Sequence, residues 1–266
     1  MTERVRLTGP SVAAAADDDT VWCAADGRLL VFDAAGRLQH DVDAPADILS
    51  LGAAGGRIAA TLEPGVIAWL DPSTGDVLGR RLVGGAPTLV SGSAIWSVDA
   101  ASGRAWRLAD PGVAIGPRAV SDIDRAAADG ERLWWTTRGD ATLRSDDRAI
   151  DLGVMSSERG DIVVCAGSVW VSVAQALIRV GAWAGTRGRD VRAPVERPAL
   201  LACARGVLVG CSADGLFVLD PRIDEEARLV EADVGVDVAQ LVTTRTMAWV
   251  FPRERPEARL VAVRRR

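Results

Sequence analysis

A short apolar motif, usually centred on tryptophan, recurs along the whole chain. One copy is Val21-Trp22-Cys23, and two weaker copies are centred on Ala59 and Leu208. The central residues of the seven copies stand at positions 22, 59, 96, 134, 170, 208 and 249, so the steps between them lie between 36 and 41 residues. Seven copies at so regular an interval predict a repeat architecture in which each copy marks one structural unit.

Each repeat contains four short apolar stretches separated by turn residues, a pattern typical of strands. In the second repeat these stretches are DILSLGAA, RIAATLE, VIAWLDP and DVLGRRLV, which lie within residues 47–83. An Asp-Pro pair closes the third stretch at Asp71-Pro72, and the pair recurs at Asp110-Pro111 and Asp220-Pro221. Proline presets the backbone for a turn, and aspartate can bond the backbone two residues on. Four strands per repeat predict one blade of a β-propeller.

The strands are almost continuously apolar, as expected for a blade that packs between two neighbours and buries both of its faces. The repeated tryptophans are therefore expected to fill the wedges between blades. Only one further strand follows the last motif, so the segment at about residues 4–10 is expected to close the ring as the outermost strand of the last blade. The sequence predicts an all-β, seven-bladed β-propeller with four-stranded antiparallel blades, forming a single domain over residues 1–266.

The repeat unit, with runs such as VWV and GLFVLDP followed by ARLV, resembles the bacterial seven-bladed propellers of the YVTN and quinoprotein-like repeat type. The resemblance covers essentially the whole chain and rests on structural residues, so it implies a fold and leaves the activity open. The chain is also similar in size and blade count to the streptogramin B lyases, which have a Mg²⁺ site and an essential histidine. The one histidine here is His40, which the pattern places at the surface of an outer strand. This departure argues against lyase chemistry of that kind.

Composition excludes several functional classes. All 31 basic residues are arginine, which leaves no lysine for Schiff-base chemistry. The formal net charge of −5 argues against a nucleic-acid partner, since phosphate recognition needs a basic surface. The N-terminal residues carry charges where a signal peptide has its apolar core, and no uncharged run is long and apolar enough to span a bilayer. We therefore expect a cytoplasmic monomer with no membrane or nucleic-acid partner.

The four cysteines stand singly among apolar residues, without any Cys-x-x-Cys pair. Two of them, Cys165 and Cys203, occupy the same position in neighbouring repeats. This pattern predicts small, buried, unpaired hydrophobic residues in a reducing compartment.

A column of acidic residues is the candidate functional feature. Twelve residues before the central motif residue stand Asp47, Asp122, Glu158, Glu196 and Asp237, while the other two repeats have Pro10 and Gly84 there. Since 36 of the 266 residues are acidic, chance would place about one acid in this column. The position precedes the innermost strand of each blade, so the acids are expected to point around one rim of the central channel.

Further polar residues accompany the column. Arg159 and Arg197 directly follow two of the acids, and Arg125, Asp161 and Gln240 stand three residues after the column position. One interpretation is a polar collar that binds a divalent cation such as Mg²⁺ or Ca²⁺, or a cationic small molecule or peptide. The alternative is structural: each acid accepts backbone N–H bonds and fixes a turn, and the arginines form exposed ion pairs of little net value.

Two classes of function remain open at this point. The first is a binding protein that recognises a small molecule or peptide at the mouth of the central channel. The second is an enzyme of secondary metabolism, a lyase, cyclase or hydrolase, with or without a divalent cation. In the enzyme, Glu158, Glu196 or Asp237 would move a proton, and Arg159 or Arg197 would stabilise a developing oxyanion.

Overall fold

The computed structural model describes residues 2–62, 65–83, 85, 87–223, 226–232 and 237–263, so Gly84 of the acidic column lies outside the described residues. Within these ranges the chain forms 28 strands and one 3₁₀ turn, Ser156–Glu158. The first thirteen strands are β1 (Thr2–Arg6), β2 (Ser11–Asp17), β3 (Thr20–Ala25), β4 (Arg28–Asp33), β5 (Leu38–Asp43), β6 (Ser50–Ala54), β7 (Arg57–Leu62), β8 (Val66–Leu70), β9 (Val77–Leu82), β10 (Thr88–Val90), β11 (Ile95–Asp99), β12 (Arg104–Leu108) and β13 (Ala114–Ala119). The others are β14 (Ile123–Asp129), β15 (Arg132–Thr137), β16 (Thr142–Ser145), β17 (Arg148–Asp151), β18 (Arg159–Cys165), β19 (Ser168–Val173), β20 (Ala176–Gly181), β21 (Val191–Arg192), β22 (Leu200–Ala204), β23 (Val207–Ser212), β24 (Gly215–Leu219), β25 (Arg228–Ala232), β26 (Val238–Thr243), β27 (Met247–Pro252) and β28 (Glu257–Ala262).

The strands of the described residues form seven four-stranded antiparallel sheets, which confirms the predicted seven-bladed β-propeller. Blades 1 to 6 consist of consecutive strands, from β2–β5 for blade 1 to β22–β25 for blade 6, and blade 7 has the order β26-β27-β28-β1. The first strand of each blade contacts the first strands of both neighbouring blades, and β26 contacts β2. These first strands are therefore the innermost strands of a closed ring.

The ring is closed by β1, which pairs antiparallel with β28 along its whole length. An N-terminal outermost strand is thus confirmed, but the predicted bounds of about residues 4–10 were too late in the chain. The amide of Leu7 donates the last bond of this pairing, to the carbonyl of Pro256 at 2.9 Å, and a bend at Gly9 leads into β2. Pro10 has no amide hydrogen to continue the pairing.

The repeated tryptophans fill the seams between blades, as predicted from their spacing. Trp170 of blade 5 is 1% exposed and packs in one cluster with Leu208 and Phe217 of blade 6. At the seam between blades 7 and 1, the ring centroids of Trp249 and Phe32 lie 5.5 Å apart. The other three motif tryptophans share clusters with the following blade in the same way. Each tryptophan therefore belongs to the contact between two blades.

One seam uses a different solution, because its second strand has Ala59 in place of tryptophan. There Trp69 and Trp106, both on third strands, pack in a cluster with Ala59 and Ile95. The volume that the alanine leaves open is filled from the third strands of blades 2 and 3.

The prediction that all four cysteines are unpaired is wrong. Cys165 and Cys203 form a disulfide with a Cα–Cα distance of 5.4 Å, while Cys23 and Cys211 are free and buried. The bridge forms because both residues occupy the same position on innermost strands of neighbouring blades, β18 and β22, at a distance that suits a disulfide. Spacing in the sequence does not reveal this approach, since 38 residues separate the two cysteines.

In the part of the chain that the structure describes, no helix has the length and apolar character needed to cross a membrane.

Candidate functional site

The innermost strands enclose a central cavity of about 880 Å³. Small side chains such as those of Ala15, Ala53 and Ala127 line its wall and leave space around the axis. Residues from both ends of the innermost strands contribute to the wall, so the cavity runs through the ring. Its volume lies within the range of ligand pockets, about 300–1,000 Å³.

The two ends of the cavity carry different sets of charged side chains. At the end where the innermost strands begin, the wall contains Asp124, Arg125, Arg138 and Asp161, and we call these four residues the upper mouth. At the end where the innermost strands turn into the second strands, it contains Asp17, Asp18, Asp129, Arg205 and Arg245, and we call these the lower mouth.

Three charged residues of the lower mouth, Asp17, Asp18 and Arg245, connect neighbouring blades. Arg245 of blade 7 forms ion pairs with Asp18 and Asp19 of blade 1, and its amide donates to the carbonyl of Asp18 at 2.7 Å. The hydrogen bond from Arg245 lowers the pKa of the Asp18 carboxyl. Asp17 accepts a hydrogen bond from the amide of Gly56 in blade 2. The lower mouth therefore connects blades 7, 1 and 2.

The two arginines of the upper mouth are not engaged in this way. Within the described residues, the guanidinium groups of Arg125 and Arg138 have neither a hydrogen bond nor an ion pair. Arg138 directly follows β15, and its amide donates to the carbonyl of Asp122 at 2.7 Å, which holds this loop against the start of β14. Two cationic side chains thus meet the cavity from neighbouring segments of blade 4.

The strand pairing is irregular where two of the charged residues of the upper mouth lie. The pairing register shifts between Ile123 and Arg125 in β14 and between Arg159 and Ile162 in β18. A β-bulge re-aims the side chains of the strand that contains it. Asp124 and Asp161 lie inside these two irregular segments, and both line the cavity.

Asp161 lines the cavity and also joins two blades. Its Oδ1 accepts a hydrogen bond from the amide of Ile162 at 2.9 Å, and its Oδ2 accepts one from the amide of Leu201 on β22 at 3.1 Å. Burial raises the pKa of this carboxyl, while the two amide donors and the charge of Arg125 act in the opposite direction. The balance favours the protonated acid more than water would.

Arg159, which the sequence placed beside the acidic column, lies behind the cavity wall. Its side chain is 8% exposed, and its Nη2 donates to the carbonyl of Thr137 at 2.6 Å. Burial lowers the pKa of this guanidinium, and the charges of Asp124 and Asp140 oppose the shift. Arg159 therefore belongs to the seam between blades 4 and 5.

The five acids of the predicted column are all exposed, and none of them lines the cavity. They are Asp47, Asp122, Glu158, Glu196 and Asp237. Two of them hold local structure: Glu158 Oε2 accepts a hydrogen bond from the amide of Met155 at 3.1 Å, and Asp237 Oδ2 accepts one from Arg253 Nε at 2.8 Å. The contact of Glu158 is of the kind that the turn-fixing interpretation describes, whereas that of Asp237 is an exposed ion pair.

Glu196 and Arg197 are held through their backbones. Their amides both donate to Oδ2 of Asp214, at 3.2 and 3.1 Å, while their side chains are exposed outside the cavity wall. The structure thus brings Arg125 and Asp161 together at the cavity and leaves Glu196 and Arg197 at the surrounding surface.

The position three residues after the column is a contact between blades. Ser50 Oγ accepts a hydrogen bond from the amide of Leu89 in the next blade at 3.1 Å, as Asp161 does from Leu201. Gln240 Nε2 donates to the carbonyl of Val12 at 2.8 Å and so joins blade 7 to blade 1. Arg125 occupies the same repeat position without such a bond.

The sequence prediction missed Asp124 and Arg138. A signal for Arg138 was present, because loops between second and third strands share a channel mouth with the starts of the innermost strands, and Arg138 begins such a loop. Asp124 gave no signal, because it lies outside the acidic column and the positions that accompany it.

A bound Mg²⁺ or Ca²⁺ stays a prediction. Among the described residues, no three His, Cys, Asp or Glu side chains form a group that could hold a metal ion. His40 lies exposed on β5, the outermost strand of blade 1, and not at the cavity.

No protein-family model and no curated protein sequence matches the chain. Several solved structures have a similar fold. An inactive H270A variant of virginiamycin B lyase from Staphylococcus aureus, crystallised with quinupristin, has a TM-score of 0.75 at 14% identity and covers 99% of both chains. The WD40 β-propeller domain of Doa1 has a TM-score of 0.72 at 12% identity and covers 99% of this chain and 96% of that one.

BamB from Moraxella catarrhalis is a more distant neighbour, with a TM-score of 0.57 at 14% identity over 95% of this chain and 85% of that one. At such low identity these similarities concern the fold alone. They include an enzyme and proteins of other kinds, so the functional conclusion depends on the chain's own residues.

Proposed function

We propose that the chain is a binding protein whose upper mouth holds a small molecule or peptide through a carboxylate of that ligand. The observation that carries the proposal is the pair Arg125 and Arg138, which line a cavity of about 880 Å³ and whose guanidinium groups make no hydrogen bond or ion pair within the described residues. The planar guanidinium group can form two parallel hydrogen bonds to a carboxylate.

The two carboxyl groups of the upper mouth, those of Asp161 and Asp124, are also consistent with an anionic ligand group at the arginines. Asp161 already accepts two backbone amides, and burial raises its pKa, so it offers Arg125 less negative charge than an exposed aspartate would. Asp124 faces the same cavity and acts on Arg159 behind the wall. The ligand carboxylate would supply the counter-charge that the described chain leaves incomplete.

A thermal-shift measurement with matched peptides tests the proposal. The probes are short peptides that differ only in a free or an amidated C-terminus. We expect a free-carboxylate peptide to raise the melting temperature by on the order of 5 °C at one hundred times its Kd, because binding to the folded state adds about 2.7 kcal/mol of stability.

The double variant Arg125→Gln/Arg138→Gln should lose this shift, whereas Arg253→Gln should retain it. Arg253 is the matched control because its guanidinium is exposed and lies outside the cavity wall. Equal shifts with amidated peptides, or an undiminished shift in the double variant, would refute the carboxylate proposal.

A second candidate function, an enzyme with carboxylate acid–base chemistry, is favoured by Asp161 alone. It is the cavity-lining carboxyl whose pKa burial raises, which suits a proton donor or acceptor. Glu158, Glu196 and Asp237, the acids first considered for this role, lie outside the cavity wall. Mass spectrometry of the same peptides after incubation would reveal conversion, and Asp161→Asn should abolish it.

We further propose, from the sequence, that the protein is a cytoplasmic monomer with no nucleic-acid or membrane partner. Light scattering coupled to gel filtration should then return the mass of one chain, 28.0 kDa.

A further inference from the structure

The disulfide between blades 5 and 6 lies in the wall of the central cavity. Cys165 and Cys203 both line the cavity, beside Ala202 of β22 and Val164 of β18. The two residues differ in exposure, since Cys165 is 1% exposed whereas Cys203 is half-buried. A molecule in the cavity can therefore approach one sulfur of the bridge more readily than the other.

The bridge is not the only connection between the innermost strands of blades 5 and 6. The amide of Asp161 donates to the carbonyl of Ala199 at 3.2 Å, and Asp161 Oδ2 accepts from the amide of Leu201 at 3.1 Å. The amide of Ala199 also donates to Ser172 Oγ at 2.7 Å. Because these bonds do not involve sulfur, the seam can remain closed when the disulfide is opened.

The two free cysteines are poor competitors for such chemistry. Burial raises the pKa of Cys23 to about 11 and that of Cys211 to about 12. The thiolate is the nucleophile in disulfide exchange, and a thiol with so high a pKa forms little thiolate near neutral pH. Exchange at Cys165 and Cys203 can therefore proceed without scrambling to the other two cysteines.

We propose that the Cys165–Cys203 bridge is a reversible thiol-exchange site for a small thiol that enters the central cavity, with Cys203 as the sulfur that is attacked. The inference goes beyond ligand binding at the upper mouth and does not depend on it.

The exchange consists of two balanced steps. The thiolate of the small thiol attacks Cys203 Sγ, a new S–S bond forms, and the Cys165–Cys203 bond breaks as Cys165 leaves as a thiolate and takes up the released proton. The thiolate of a second small-thiol molecule then attacks the sulfur that the first small thiol contributed to the mixed disulfide. This step releases Cys203 as a thiol. The protein bridge gains two electrons, and two small thiols are oxidised to one small disulfide.

Native-state labelling of the purified full chain tests this proposal. N-ethylmaleimide is added before and after treatment with dithiothreitol, and labelled cysteines are located by peptide mass spectrometry. We expect no labelling before reduction and labelling of Cys203 first after it. Cys203 should react faster than Cys23 at about pH 8, because burial raises the pKa of Cys23 to about 11 and leaves it little thiolate.

Variants identify the attacked sulfur. After reduction and exposure to 2-hydroxyethyl disulfide, Cys165→Ser should carry the mixed disulfide on Cys203, and Cys203→Ser should carry none. Cys23→Ser is the matched control and should leave the rate of adduct formation unchanged. Circular dichroism establishes whether each variant is folded. If Cys165→Ser or Cys203→Ser does not fold, the peptide map of the wild-type protein shows which cysteine carries the mixed disulfide.

Three outcomes would overturn the proposal. One is a bridge that resists dithiothreitol until the protein unfolds, which would make it a permanent staple. Another is a mixed disulfide on Cys165 in preference to Cys203. The last is a protein in which both thiols remain free after exposure to 2-hydroxyethyl disulfide in the folded state.

Discussion

At the scale of single residues, Asp161 shows how one side chain serves both the seam and the cavity. Two backbone amides donate to its carboxyl and favour the ionised form, while burial favours the protonated form and raises the pKa overall. The two nearby arginines differ in place: the charge of Arg125, which lines the cavity, lowers the pKa of this carboxyl, whereas Arg159 lies behind the cavity wall. The chemistry of the upper mouth follows from these few local environments.

The raised pKa of Asp161 predicts a pH-dependent contribution to stability. A group whose folded pKa lies above its ordinary value of 3.8 contributes full stability below that value and loses it as pH rises through the folded pKa. The free energy of unfolding of the wild type minus that of Asp161→Asn should therefore fall as pH rises above 3.8. Urea denaturation at a series of pH values measures the difference.

Ser50→Ala is the control for this series, because Ser50 occupies the same repeat position, bonds the next blade and does not titrate in this range. The loss of unfolding free energy in Ser50→Ala should be independent of pH. A wild-type advantage over Asp161→Asn that grew with pH would mean that the amide donors, and not burial, dominate the site.

At the scale of strands and blades, large side chains at regular positions hold the ring together. Trp170 leaves β19 of blade 5 and packs against β23 and β24 of blade 6, and the same arrangement recurs at four other seams. Arg179 lies over its ring, with the guanidinium carbon 5.5 Å from the centroid. The indole Nε1 donates to the carbonyl of Cys165 at 3.2 Å, which also ties the second strand to the innermost one.

Truncation of a seam tryptophan should therefore be costly. We expect Trp170→Ala to lower the free energy of unfolding by about 3–5 kcal/mol, through loss of apolar burial and creation of a cavity. Trp183→Ala is the matched control, since Trp183 is 77% exposed and should change stability by less than about 1 kcal/mol. Chemical denaturation compares the two, and equal effects would contradict the wedge model.

The strands were predictable from sequence to the extent that they repeat. Trp170 and its equivalents indicated second strands because burial at a seam demands a large apolar side chain in every blade. The place of Asp124 in the cavity wall was not predictable, since this residue lies outside the acidic column and the strand pairing is irregular there. Likewise, the acidic column marks loop positions, where no strand pairing fixes the side-chain direction, and this explains why Asp47 and its counterparts need not face the cavity.

At the scale of the whole molecule, closure depends on contacts between the two ends of the chain. β1 supplies the outermost strand of blade 7, and the ion pairs of Arg245 with Asp18 and Asp19 join blades 7 and 1 at the lower mouth. Gln240 adds a bond to the carbonyl of Val12 at the innermost strands. The seam between the last and first blades is thus held from the axis to the rim.

Removal of residues 1–6 should destabilise the ring, because β28 would lose β1, which pairs with its outer side, and become an exposed edge. We expect a lower melting temperature and concentration-dependent association, measured by circular dichroism and light scattering. A matched variant, Arg245→Gln, keeps β1 and should lower stability without association. A truncated protein that melted like the full chain as a monomer would contradict closure by β1.

The proposed role of the upper mouth is tested most directly by a crystal structure of the protein with the free-carboxylate peptide that gives the largest thermal shift. The account predicts the peptide carboxylate at hydrogen-bond distance, about 2.7–2.9 Å, from the guanidinium groups of Arg125 and Arg138. A peptide bound at the lower mouth or on the outer strands, with the upper mouth empty, would contradict it.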